Sequence, residues 1–185
     1  MSADLKVINL GLPKSGTTIF GKALSQAGLR VADWRIRRGD KNATAFGFVG
    51  NLMYHGYFDH GDPLSLMPNY DAFAEIDIVR HGFNLWPQTD WGLLSAIQKH
   101  RPDAKFVLTF RDPAKISDSM LRWSNMGRTR LPQNEIPGLP RGFGGTEAHR
   151  ILWIEGHHRF CRQVFRNNTN FHVCEVEDPD RKSVV

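Results

Sequence analysis

The sequence predicts an α/β fold, a mainly parallel sheet flanked by helices, and three observations carry that prediction. The apolar run Val7, Ile8, Leu10 stops at Gly11 and gives way to a helical pattern after Thr17, so a buried strand passes through a tight loop into a helix. Gly28 closes that helix, and Leu29 to Arg35 then reads as a second strand, which makes a βαβ unit with a right-handed crossover and parallel strands. The strand–helix order recurs at Lys105 to about Asn125, where a β-rich run ends at Arg111, Asp112 can cap, and Pro113 takes the first helical turn. With 185 residues, the chain 1–185 is expected to form a single domain large enough to bury a core.

Composition narrows the functional classes. Hydrophobic content of 41% and charged content of 23% are those of an ordinary globular protein. No apolar run approaches the ~18 residues of a membrane span, and MSADLKV lacks the apolar core of a signal peptide, so the expected location is cytoplasmic with no membrane partner. Cys161 and Cys174 fit no disulfide framework or zinc pattern and read as idle or buried thiols. The net charge of +5 invites polyanions, but arginine supplies 16 of the 24 basic residues, which favours bidentate recognition of phosphate or sulfate. No helix-turn-helix, stacking-aromatic motif or long basic run accompanies them, so a small polyanionic cofactor is expected and nucleic acid is not.

The remaining elements follow in order. Thr17 to Ala27 is an amphipathic helix with Ile19, Ala23 and Leu24 on one face. Between Gly39 and Asn69 the pattern loosens; a helix is expected from about Ala43 to His55, with Phe46, Phe48, Tyr54, Tyr57 and Phe58 either in the core or on an acceptor-pocket wall. His55, Asp59, His60 and Asp62 form a short cluster of a kind that is usually solvated. Tyr70 to Val79 alternates and reads as a central strand carrying Glu75 and Asp77. A helix begins at Thr89 or Asp90 with Trp91, Leu94 and Ile97 at helical spacing, and Pro102 lies beyond its end. Gly127 to Gly145 is a long Gly-, Pro- and Arg-rich loop, read as a lid or binding loop. Thr146 caps a last helix to Phe165, whose His157 and His158 face solvent or a neighbour; Phe171 to Val176 is the final strand, and the polar tail frays.

The chemistry concentrates at the first loop. Gly11 and Gly16 let backbone N–H groups converge, Lys14 adds a charge, and the helix start at Thr17 and Thr18 turns its dipole to the same point. A nucleotide triphosphatase loop, G-x-x-x-x-G-K-[ST], would need lysine where Thr17 stands. The run PKSGTT instead resembles the phosphosulfate-binding loop of sulfotransferases. Arg111 and Ser119, eight residues apart after a strand, resemble that family's second signature.

The resemblance implies a P-loop NTPase-like three-layer sulfotransferase fold of the small bacterial type. It implies that Lys14, Ser15, Gly16, Thr17 and Thr18 hold the 5′ end of 3′-phosphoadenosine 5′-phosphosulfate (PAPS), that Arg111 and Ser119 hold its 3′-phosphate, and that Arg141 closes over the nucleotide. No metal is expected. The reaction implied is sulfuryl transfer to a hydroxyl or amine of a small-molecule or glycan-like acceptor, releasing adenosine 3′,5′-bisphosphate. Lys14 would stabilise the leaving group. A base must reach the acceptor's proton, and Glu75, Asp77 and His81 are the candidates: acids on an interior strand are costly unless paired or functional, Glu75 falls at the acidic position of a family pattern, and His81 follows the strand. A P-loop kinase and a non-catalytic nucleotide-binding protein are the rival classes. Oligomeric state stays open.

Overall fold

The computed structural model describes residues 5–80 and 82–176. In chain order the elements are β1 (Val7–Asn9), α1 (Thr17–Gln26), β2 (Val31–Ala32), β3 (Arg35–Ile36), β4 (Gly47–Phe48), α2 (Val49–His60), β5 (Ala72–Phe73), β6 (Ile78–Arg80), β7 (Phe83–Leu85), α3 (Trp91–His100), β8 (Lys105–Phe110), α4 (Pro113–Arg122), α5 (Leu131–Gln133), α6 (Glu147–Val164) and β9 (Phe171–Glu175). Five strands form one parallel sheet in the order β2-β5-β1-β8-β9, as the α/β pattern predicts. Because β1 is central and covered on both faces, Val7, Ile8 and Asn9 are all buried, which is why the run does not alternate. From β1 the chain first builds β2 and β5 on one side and then crosses to β8 on the other. The order therefore reverses between β1 and β8, and the crevice outside the carboxyl ends of such strands is where ligands bind.

Local chemistry accounts for the helix starts. Asp90 accepts a hydrogen bond from Leu93 N at 3.2 Å, Asp112 from Lys115 N at 3.1 Å, and Thr146 from His149 N at 3.2 Å. Helix α1 has no side-chain cap; it starts at Gly16, whose φ of 101° suits glycine. It packs through Thr17 and Gly21 rather than through the Ile19/Ala23 face, because a Cβ at Gly21 would stand 2.9 Å from that of Ala74; Ile19 and Ala23 are exposed.

Several expected boundaries move. The strand expected over Leu29–Arg35 divides into β2, which joins the main sheet, and β3, which leaves it at Asp33–Trp34 to pair antiparallel with β4. That pairing occupies residues assigned to a helix from Ala43, so the helix begins at Val49 and runs to a left-handed Gly61. The strand expected over Tyr70–Val79 also divides. Only Ala72–Phe73 enter the sheet, beside β1 rather than at its centre, while β6 turns back on β7 as a separate hairpin. Glu75 and Asp77 fall in the break. Helix α4 stops at Arg122, and Ser124 takes φ 51°. The stretch read as a lid or binding loop carries structure of its own: a π-helical turn over Met126–Arg130, α5, and a bridge between Ile136 and Leu139 bury Leu131, Ile136 and Leu139 beside Trp153 of α6.

Helix α6 is anchored under the first loop. His157, buried, donates from Nε2 to Leu10 O at 2.7 Å, and Cys161 Sγ lies 3.4 Å from the same nitrogen. His158 packs on Phe110 with ring centroids 4.8 Å apart. Both histidines face neighbours in the protein rather than solvent. Burial lowers the His157 pKa from 6.5 to about 4 and pushes the Cys161 thiol up to about 12. A depressed histidine gives its full stability above its unfolded pKa and loses it as pH falls from there through the folded value, since the unfolded chain takes the proton first. His157 should therefore cost about 2 kcal/mol of stability by pH 5. Chemical denaturation at pH 7 and pH 5 measures this, and His157→Gln, which removes the titration, should reduce the difference.

Candidate active site

The site begins with a side chain that the sequence does not advertise. Asn9 is the last residue of β1, and its Nδ2 donates to Ala74 O at 2.7 Å beyond β5. Its Oδ1 accepts from Gly11 N at 2.9 Å and from Thr109 Oγ1 at 3.1 Å on β8. Ser15 Oγ closes the ring on Thr109 Oγ1 at 2.7 Å. Three strand ends and the loop are thus tied at one point. Gly11 is required there because a Cβ would collide with Thr109 Oγ1 and Ser15 Oγ. Within the loop Ser15 N donates to Leu12 O at 3.1 Å, and Lys14 takes a left-handed φ of 71° two residues before Gly16. The first amides of α1 precede its hydrogen-bond ladder, so they face the crevice as donors.

That crevice is a cleft of about 610 Å³. Lys14, Gly16, Thr17 and Thr18 line it from the loop, Arg111 and Ser119 from β8 and α4, and Glu75 and Asp77 from the break after β5. Arg111 reaches Lys14 O with Nη1 at 3.5 Å, which joins the two phosphate-type motifs. Lys14 Nζ lies 4.8 Å from the ring centroid of Trp123. Burial lowers the Lys14 pKa; Glu75 opposes that shift, and Arg111 and Arg122 add to it.

The acidic wall is opposite in sign and deeper. Glu75 Oε2 accepts from Thr17 Oγ1 at 2.9 Å; burial raises its pKa against the pull of that hydrogen bond, and Asp33 raises it further while Lys14 lowers it. Asp77 is buried, held by Gln88 Nε2 at 2.8 Å, and its pKa stands well above the usual carboxylate value because of burial first and Glu75 second. The arrangement puts a carboxylate beside a lysine, at a helix N-terminus, within a cleft walled by arginine: an oxyanion can be held and a proton accepted in one place.

Residues 6–178 match the family model described as a sulfotransferase domain. The chain belongs to the sulfotransferase family. No curated protein sequence matches it.

Not every expected residue of this sulfotransferase comes to the cleft. Ser15 is buried, with its hydroxyl on Thr109 and its amide on Leu12, so it shapes the loop from behind. Arg141 is exposed, 3.9 Å from Glu135, and is not among the cleft residues. His81 lies outside the described residues. His55 and Asp59 form an exposed pair at 3.0 Å, and no group of His, Cys, Asp or Glu among the described residues could hold a metal ion. Sequence reasoning missed Asn9, Thr109, Trp34, Trp123 and Arg130. Three of these had a signal: Asn9 and Thr109 each stand two residues before a motif residue, Gly11 and Arg111, and Trp123 follows Ser119 at helical spacing.

The Asn9 junction makes a stability prediction. Asn9→Ala leaves the Ala74 carbonyl and the Gly11 amide unsatisfied in a buried setting, so it should destabilise the fold by about 2–4 kcal/mol. Urea denaturation followed by circular dichroism measures the loss; a change within error of zero would show that water replaces the side chain.

Proposed function

We propose that this sulfotransferase transfers the sulfuryl group of PAPS to a hydroxyl or amine of a small-molecule or glycan-like acceptor. One observation carries the reading: the Lys14 loop and the Arg111/Ser119 pair line the same cleft, so two oxyanion sites face one volume. Their residues suit a nucleotide phosphorylated at both ends of its ribose. Lys14, the Thr18 hydroxyl and the Thr17 and Thr18 amides at the start of α1 would hold the 5′ end; Arg111 and Ser119 would hold the 3′-phosphate. When bound, PAPS supplies an activated sulfuryl group whose leaving side is a phosphate. A kinase reading is less well supported, because Thr17 replaces the lysine that a triphosphate loop needs and gives its hydroxyl to Glu75. The two cysteines are free thiols, in keeping with a reducing cytoplasmic setting. No helix among the described residues is long and apolar enough to cross a membrane.

In the proposed step the acceptor oxygen or nitrogen forms a bond to sulfur while the bond between sulfur and the bridging oxygen breaks. The acceptor's proton passes to the Glu75 carboxylate, and the electron pair of the breaking bond remains on the phosphate oxygen of adenosine 3′,5′-bisphosphate. Lys14 and the loop amides stabilise that oxygen, the form of catalysis in which charge is met by fixed donors. Thr17 orients Glu75 by donating to it. Burial first and Glu75 second raise the Asp77 pKa, which favours its neutral form and lessens the negative charge beside Glu75.

Adenosine 3′,5′-bisphosphate should raise the melting temperature more than ATP with Mg²⁺, and the reverse order would sink the assignment. Lys14→Ala should lower turnover with labelled PAPS and an acceptor panel by about 10²-fold or more while leaving the fold intact. Glu75 accepts a proton only when ionised, so kcat/KM should fall as pH drops through a pKa above the ordinary 4.5, and Glu75→Gln should remove that limb with a loss of about 10²–10⁴-fold. An unchanged pH profile in the variant would assign the base elsewhere.

A further inference from the structure

Past the two phosphate-type sites the cleft holds a second pair of cations that the transfer chemistry does not use. A chain of contacts locates it. Arg111 touches the Lys14 carbonyl, and Lys14 Nζ lies 4.8 Å from the Trp123 ring centroid. Arg130 lies over the same ring, with its guanidinium carbon 4.9 Å from the centroid. Arg130 Nη1 then donates to Val79 O at 3.2 Å, and Arg80, the next residue, lies over Trp34 at 5.1 Å. Arg130 therefore shares the Trp123 indole with Lys14, and Arg80 follows it on Trp34, one residue along from the carbonyl that Arg130 holds. Both arginines and both indoles line the cleft.

The pair is electrostatically unfinished. Among the described residues neither arginine makes an ion pair, and the two repel each other: burial lowers the Arg130 pKa and Arg80 lowers it further. Arg130 Nε is buried with no hydrogen-bond partner. Of the acids that line the cleft, Asp77 is bonded to Gln88 and Glu75 to Thr17, and among the described residues none of Asp33, Glu75 and Asp77 makes an ion pair with either arginine. Two like charges, a buried donor without an acceptor, and aromatic surfaces beneath both guanidiniums are what a planar oxyanion on an aromatic body would satisfy.

On the reading that the Lys14 loop and Arg111 hold the donor, we infer that Arg80 and Arg130 form the acceptor subsite and select an acceptor that carries its own carboxylate or similar oxyanion. Its ring lies between Trp34 and Trp123, its oxyanion meets the guanidiniums, and its hydroxyl points back to Glu75 and Lys14. The charge on the acceptor thus determines both affinity and orientation.

The test compares 4-hydroxyphenylacetate with its neutral amide, 4-hydroxyphenylacetamide, by titration calorimetry on the full chain saturated with adenosine 3′,5′-bisphosphate. The acid should bind at least about tenfold more tightly than the amide. In Arg80→Gln, whose side chain is exposed and whose folding is therefore safe, that preference should collapse to within about twofold, while the affinity for the bisphosphate stays unchanged. Arg130→Gln should do the same. Equal binding of acid and amide by the wild-type chain overturns the subsite, as does a preference that survives in Arg80→Gln. The donor reading fails separately: if the wild-type chain does not bind the bisphosphate at all, both assignments fall, whereas bisphosphate binding with no acid preference removes only the acceptor subsite.

Discussion

Asn9 holds the functional end of the sheet together. A parallel sheet leaves its strand ends open at the carboxyl edge, where backbone groups no longer have ladder partners. Here one buried amide answers three of those ends, reaching Ala74 beyond β5, Gly11 after β1 and Thr109 on β8. Because Thr109 also holds Ser15, the path of the loop from Gly11 to Gly16 is set from behind, by the sheet. Gly11 approaches too closely for any side chain, and Gly16 would drive a Cβ into Val176 beyond β9. The loop is therefore clamped from the sheet on one side and from its last strand on the other. Lys14 can hold its left-handed φ of 71° only because its neighbours are fixed so firmly.

Against that frame the cleft separates charge by depth. Carboxyls sit at the floor, where burial raises their pKa values, and cations ring the wall. A wall of guanidinium groups attracts a polyanion, while a floor of ionised acids would repel it. The conflict is reduced because Asp77 is held by Gln88 and burial raises its pKa well above the usual carboxylate value, which disfavours a second charge beside Glu75. The asymmetry is a consequence of the break between β5 and β6: had Tyr70–Val79 been one sheet strand, alternate residues would have pointed to opposite faces, and Glu75 and Asp77 would share a face without reaching the crevice edge together.

The parts legible in the sequence were those governed by short-range rules. Strand, glycine loop and helix can be read from Val7 to Phe20 because each step has its own local signal, and Pro113 after Asp112 marks a helix start for the same reason. Residues that depend on three-dimensional proximity were not legible. Asn9 and Thr109 are a hundred residues apart in effect and meet only because β1 pairs with β8 in register. The strand breaks at Asp33–Trp34 and at Glu75–Asp77 carry no Gly or Pro to mark them, so alternation ran through them. Gly127 to Gly145 was legible only as a lid or binding loop: its glycines and prolines hide Leu131, Ile136 and Leu139, which supply the apolar contacts that fold it onto α6 while Arg130 lines the cleft. Arg141 was judged by its place in that segment, and its exposure beside Glu135 depends on how the segment folds.

The folded segment has a further role in coupling the two ends of the cleft. Arg150 of α6, buried, donates from Nε to Ser117 Oγ at 2.9 Å and from Nη1 to the carbonyls of Gly144 and Gly145 at 3.1 and 3.0 Å. One guanidinium thus fixes α4 and the end of the ordered segment to the same helix, and its bond to Ser117 resists rotation of α4. Ser119 and Trp123 are one turn apart on that helix, so they move together. Ser119 lines the cleft, and Trp123 lies under both Lys14 and Arg130. A small rotation of α4 would displace a cleft hydroxyl and an aromatic wall at once. The two ends of the cleft are consequently not set independently but by one helix, held in angle by an arginine that lines neither.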